Sequence, residues 1–245
     1  MKKIIILSTL LFTTINVNAY AINDNNSDKY KKFRLDYTEM VELASSQRLP
    51  HRIFYEKPST GENSKWFDAV KQGDLDTIKK MVENGHDIEM KDTGSLDQTA
   101  LGWAAFIGYE DIVDYLLSKN ANLWATDRGD VHHALKSAVL GKNTNIVKKI
   151  HNLMKDQLDL NDQTIEEDGE TSVMIAASNN RIDTVKYLIE QGSNLNLFTI
   201  TNDVNMPSYD QSALSYACQR NLKEMQKLLI DNGAVHHKTQ KPSCD

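Results

Sequence analysis

An all-α solenoid of about five helix-turn-helix repeats, joined by hairpin-like loops, is the fold this sequence predicts, and three observations predict it. One pattern recurs five times at a spacing near 35 residues: a helix of small residues, a polar break, a second helix with paired aliphatics, then Asn or Gly before a short extended piece. The second helices carry their apolar residues in a single stripe, which a helix standing alone cannot bury. The 11 glycines and 4 prolines are few for an all-β chain that must turn at short intervals. Bulk composition agrees: 245 residues, 40% hydrophobic and 25% charged with a mean hydropathy of -0.50, exclude a polytopic membrane protein and a disordered polyelectrolyte.

Residues 1–21 read as a secretory signal peptide. Lys2 and Lys3 precede the apolar run Ile4 to Phe12, and Ala19-Tyr20-Ala21 supplies the small residues that a signal peptidase needs, with Val17-Asn18-Ala19 as a second cleavage site. The run is far shorter than the roughly 20 residues that span a bilayer, so no membrane span is expected after signal removal. Loss of this segment moves the net charge from -6 to about -8, which argues against nucleic acid as a partner. The style of the signal suggests bacterial export and a periplasmic destination. In such an oxidising compartment Cys218 and Cys244 either form one disulfide or remain a buried thiol and a mobile one.

Residues 22–63 do not fit the repeat. Asn23 to Asp28 are polar, Tyr37 to Ala44 has the composition of a short helix, and Pro50 and Pro58 impose an extended path. A solenoid needs its first layer shielded, so the segment is assigned as an N-terminal cap on the Trp66-Phe67 repeat, with an unstructured leader as the alternative.

Residues 64–238 hold the repeats, and 239–245 form a C-terminal tail. The clearest copy runs from Gln98 to Ala121; across the copies Trp66, Leu101, Leu135, Val173 and Leu214 occupy matching positions, at intervals of 35, 34, 38 and 41. Ala104-Ala105, Ala176-Ala177 and Ala217-Cys218 put tiny side chains on the first helix and let neighbours approach closely. Ile112, Val113, Leu116 and Leu117 form the stripe of the second helix, repeated by Val185, Leu188 and Ile189 and by Met225, Leu228 and Leu229. Gly85, Gly192 and Gly233, with Asn120 in the same slot, suit a left-handed C-cap.

On these residues the stretch strongly resembles the ankyrin-repeat family. It departs from the family's Thr-Pro-Leu-His run, kept only as Thr99-Ala100-Leu101-Gly102, Thr171-Ser172-Val173-Met174 and Ser212-Ala213-Leu214-Ser215. The third copy diverges most, and its second helix, running through His151 to Met154, is expected to be longer than its siblings. Phe198 to Gln211, with Pro207 and Tyr209, exceeds a standard hairpin and is expected to form an extended finger.

The resemblance implies a concave surface of hairpin tips and first-helix positions that holds another protein. Carried over in register, that surface contains Phe106, Ile107 and Leu140 as an apolar centre, with Asn179, Gln219 and Arg220 on the same row. Trp124 stands where the family has Asn at the start of a hairpin, either anchoring a partner or packing on the inserted loops, and Asp127 and Arg128 lie at a tip. These nine are the candidate partner-binding residues, against the alternative that the apolar ones serve the core.

Motifs that place a nucleophile, a metal or a nucleotide are missing from the sequence, so no catalytic residue, cofactor or metal is assigned. His132-His133 and His236-His237 lack a third ligand at useful spacing, and His132-His133 sits near the slot before a first helix where the family uses His structurally. The expected function is a non-catalytic periplasmic scaffold that binds another protein, as an inhibitor or immunity protein for a toxin effector. Alternatives are an accessory of oxidative-stress defence supporting a haem enzyme such as catalase, and an enzyme with an unrecognised site around Asp130, His132 and His133.

Overall fold

The computed structural model describes residues 29–47, 54–128 and 131–244. The expected signal peptide, the polar stretch after it, and Gly129 and Asp130 lie outside the described residues. A 3-10 turn at Lys31–Phe33 leads to helix α1 (Tyr37–Gln47). Five helical pairs follow: α2 (Ser64–Gln72) with α3 (Leu75–Glu83), α4 (Ala100–Ile107) with α5 (Glu110–Ser118), α6 (Ala134–Leu140) with α7 (Thr144–Met154), α8 (Ser172–Ser178) with α9 (Ile182–Glu190), and α10 (Ala213–Gln219) with α11 (Lys223–Asp231). The first helices stack on one another in sequence order, and α5, α7, α9 and α11 form an outer row behind them.

Side-chain size explains the stack. Ala104, Ala105, Ala176, Ala177 and Ala217 are fully enclosed, so inner helices approach closely, and the matching residues Trp66, Leu101, Leu135, Val173 and Leu214 fill the layers between them. At Gly141, just after α6, a Cβ would collide with the Phe106 carbonyl of the neighbouring inner helix. Every residue of α4 and of α6 is buried. Outer helices bury only their predicted stripe, such as Ile112, Val113 and Leu116 on α5.

Local hydrogen bonds start and stop the helices where the sequence calls for it. Asp74, Thr99 and Asn143 cap α3, α4 and α7 by accepting backbone N–H groups, and Ser212 and Ser215 form a reciprocal capping box on α10. His133 caps α6 through Nδ1, which accepts the Lys136 N–H at 3.3 Å. Gly85, Gly192 and Gly233 adopt φ of 86°, 89° and 89° after their outer helices and Asn120 adopts 63°, the left-handed slot expected of them. The outer helix α7 has 11 residues against nine in each of its siblings, as its sequence suggested.

The loops between layers are mostly irregular. One short antiparallel ladder, β1 (Lys91–Asp92) with β2 (Gln98–Thr99), joins the first and second repeats. The finger closes through a bridge between Phe198 and Ser212, with the Thr199 N–H donating to the Gln211 carbonyl at 2.8 Å. Cys218 and Cys244 are joined in a disulfide with a Cα–Cα distance of 5.5 Å, which pins the tail to α10.

The N-terminal segment packs on the first repeat, where the Ser59 N–H donates to Asp68 at 2.7 Å and the Ser59 hydroxyl accepts from Lys71 at 2.9 Å, and it also crosses the stack beyond it. Tyr30 meets Tyr109 edge-on at 5.7 Å and its hydroxyl accepts the Asp111 N–H at 3.2 Å. Phe33 occupies the space a side chain on Gly108 would need. Arg34 donates to the Tyr109 hydroxyl and lies 4.8 Å over the Tyr55 ring, while the Tyr55 hydroxyl accepts from the Leu35 N–H at 2.7 Å and donates to the Leu35 carbonyl at 2.9 Å. Farther along, Glu39 pairs with Lys142 at 2.5 Å and Glu42 with Arg220 at 3.0 Å. The physical reason is apolar: Tyr30, Leu35, Met40, Leu43 and Tyr55 are buried, and an end layer alone offers too little surface to cover them all.

Candidate protein-binding surface

Burial decides which predicted partner-binding residues can meet a partner. Phe106, Ile107 and Leu140 retain 3%, 1% and 2% exposure, so the expected apolar centre of the concave row is core in this structure. Tyr55 packs edge-on against Phe106 at 6.1 Å, and the Leu140 carbonyl accepts two hydrogen bonds from Arg181. Asn179 is buried as well, its amide donating to the Ile175 carbonyl at 2.9 Å. Gln219 is exposed; Arg220 is half-buried, donating to the Ser178 carbonyl and pairing with Glu42.

The hairpin residues fare differently. Trp124 is 40% exposed, with its ring edge-on to His133 at 5.9 Å: one side rests on the cap of α6 and the other faces water. Asp127 accepts the Val131 N–H at 3.1 Å, and Arg128, largely exposed, pairs with Asp97 at 2.6 Å. These contacts tie one hairpin tip to the preceding one.

Among the described residues, four large exposed apolar side chains lie on the finger. Phe198, Ile200, Val204 and Tyr209 are 50%, 54%, 68% and 38% exposed, close together in the chain and held by a firm base. That base includes Ile200 N–H donating to the Asp168 carbonyl at 2.8 Å and Phe198 stacked on His237, which itself bonds Asp210 at 2.8 Å. The sequence marks the finger by its length and names Phe198 and Tyr209 within it without assigning them to binding, while Ile200 and Val204 go unmarked; the alternation of Phe198, Thr199 and Ile200 was the available signal. The loop before it, residues 155–171, holds seven acidic side chains and one lysine, and the finger adds Asp203 and Asp210 with no basic residue. Asp156, Asp159, Glu167 and Asp203 face solvent, so the edge of the stack around the finger is negative.

Buried charges occur at two places in the stack. Lys71 contacts Asp92 at 2.7 Å and Ser59 at 2.9 Å and lies 4.5 Å over the Trp103 ring, whose indole N–H donates to Asp92 at 3.0 Å. Lys136 contacts Glu166 at 2.5 Å. Nearby, burial above all, and then the charge of Asp168, pushes the Glu170 carboxyl up to about 8, with the Tyr216 hydroxyl donating to it. Burial pushes His133 down to about 4, helped by the Lys136 charge. The cavity bordered by His133, Lys136, Glu166 and Glu170 has a volume of only about 20 Å³, room for a water. Their arrangement docks loops onto inner helices. Among the described residues no cluster of three or more His, Cys, Asp or Glu side chains is placed to hold a metal ion.

Comparison with known proteins supports the same architecture. A family model for ankyrin repeats matches residues 66–152 and 135–240. The chain is 27% identical over 229 residues to the ankyrin repeat and KH domain-containing protein mask-1 of Caenorhabditis elegans, an alignment covering 81% of this chain and 8% of that protein. The chain therefore spans a small part of that relative's length. The match covers the same helices whose alanine spacers, apolar stripes and left-handed caps build the observed stack, and by that correspondence the chain belongs to the ankyrin-repeat family.

Proposed function

We propose that this protein is a non-catalytic binding scaffold that meets its partner along the hairpin edge, with the finger as the anchor. The exposed apolar group of Phe198, Ile200, Val204 and Tyr209 on an acidic rim carries this reading. Ankyrin repeats in general serve as interaction modules, and an apolar anchor ringed by polar residues is the usual anatomy of a protein interface. The negative rim favours a partner with a basic surface, which it draws in by long-range attraction.

In its finer form the proposal is an exported inhibitor or immunity protein that occupies a toxin effector in the periplasm. The Cys218–Cys244 disulfide supports an oxidising compartment, and the signal-like N-terminal sequence supports export. A rigid stack that binds by one edge suits occlusion of a partner's working surface.

The test is affinity capture from periplasmic extract on the immobilised chain and on an Ile200→Asp, Val204→Asp variant. The wild type should retain one protein stoichiometrically, less of it as salt is raised, and the variant should lose it while melting at the wild-type temperature. Retention of nothing, or equal retention by both, would overturn the scaffold reading. A deletion strain no more sensitive to neighbouring cells would overturn the toxin reading alone.

A further inference from the structure

We propose that the face beneath α1, at the turns between inner and outer helices of the last three repeats, is a second docking surface, which takes an acidic amphipathic helix from a partner protein; α1 is its resident, displaceable occupant.

The chemistry of the seat is read from its occupant. Helix α1 presents Met40 and Leu43, three residues apart and buried, between the carboxylates Glu39 and Glu42. The stack answers with apolar floor and basic rim: Lys142 pairs with Glu39, and Arg220 with Glu42. These pairs bridge more than a hundred residues of chain, so the complementarity belongs to the folded surface and not to local sequence.

The fit is incomplete in two ways. A cavity of about 380 Å³ remains between Glu39, Glu42 and Leu43 on one side and Thr144, Asn180 and Arg181 on the other. Arg181, on its wall, donates Nε and Nη2 to the Leu140 carbonyl and makes no ion pair among the described residues, although burial lowers its basicity. The acid on that wall, Asp183, is exposed and contacts Lys186 of its own helix at 3.4 Å. The surface thus carries one more cation, in Lys142, Arg181 and Arg220, than α1 supplies carboxylates. A partner helix that fills the cavity and brings a third carboxylate to Arg181 fits better than the resident one.

The resident is held by Met40 and Leu43 more than by its charges. Glu39 and Glu42 keep 34% and 58% of their side-chain exposure, where ion pairs contribute little. Tyr37 and Val41 leave apolar surface on the outer side of α1, 69% and 40% exposed. The other anchors of the segment include Arg34 on Tyr109 and Tyr55 on Phe106, both at the second repeat, so displacing α1 leaves these two in place.

The probe is a synthetic peptide of residues 29–47, added to the full chain and to a full-length Glu39→Gln, Glu42→Gln variant. Tethering gives α1 an effective concentration on the order of millimolar, so the wild type should bind the peptide weakly and the variant about tenfold more tightly. Lys142→Glu with Arg220→Glu in the variant should weaken binding severalfold or more, and glutamines at positions 39 and 42 of the peptide should weaken it severalfold. Ile200→Asp with Val204→Asp should leave it unchanged, which separates this surface from the hairpin edge. Amides of α1 in the wild type should exchange with solvent well before those of α4 and α6. Exchange of α1 only on global unfolding, or equal binding of acidic and neutral peptides, would overturn the proposal.

Discussion

Glu170 and His133 are buried side chains whose protonation the fold sets in opposite senses. The Glu170 carboxyl, pushed up to about 8 from 4.5, keeps its proton in the fold over a range where the unfolded chain has lost it, so stability falls as pH rises through that range. His133, pushed down to about 4 from 6.5, is neutral in the fold where the unfolded chain is charged, so its contribution is lost as pH falls through that window. Between pH 4.5 and 6.5 the two slopes oppose, and from 6.5 to 8 Glu170 acts without its counterweight. Urea midpoints of the wild type should therefore decline between pH 6.5 and 8, and Glu170→Gln should flatten that decline. An unchanged slope in the variant would show that another group sets it. His133 also shows what a single residue's sequence context reveals: its place before an inner helix marked it as structural, and it caps that helix. Phe106 shows the opposite. Its register pointed to the concave surface, yet Tyr55, about 50 residues earlier, covers it, and no local pattern encodes that contact.

At the scale of elements, helices and their ends were legible because each is decided within a few residues: a capping side chain, an apolar stripe, a glycine or asparagine in the left-handed slot. The finger was legible as an insertion and its chemistry was not, since exposure of Phe198 and Val204 depends on what the neighbouring loops leave open. The C-terminal pair of helices depends on a staple. Closing a separation of 26 residues, the Cys218–Cys244 bond should stabilise by about 3–4 kcal/mol on loop-entropy grounds. Replacing both cysteines by alanine should lower the urea midpoint and loosen α10 and α11 before the rest of the chain, as read by hydrogen exchange. If the midpoint stays unchanged, the tail contributes nothing to the last layer.

The whole molecule is a row of layers in which contacts pass chiefly between neighbours, and stability should follow position in the row. Inner helices α4 and α6 are buried along their entire length with layers on both sides, whereas α3 at one end buries only Ile78 fully. Native-state hydrogen exchange should therefore give the highest protection in α4 and α6 and lower values in α3 and α11; uniform protection would mean that the stack unfolds as one unit.

What the sequence by itself determined was the repeat: small residues on one helix, a stripe on the next and a left-handed turn after it are local consequences of steric fit and helix geometry. Only the tertiary structure decided which surface of the repeat stays open. The segment before the first layer returns across the stack and covers Phe106 with Tyr55, the rest of the predicted apolar row is buried as well, and the finger stays accessible. That outcome rests on contacts between residues tens to hundreds of positions apart. Burial is a property of three-dimensional proximity, and periodicity along the chain carries no record of it.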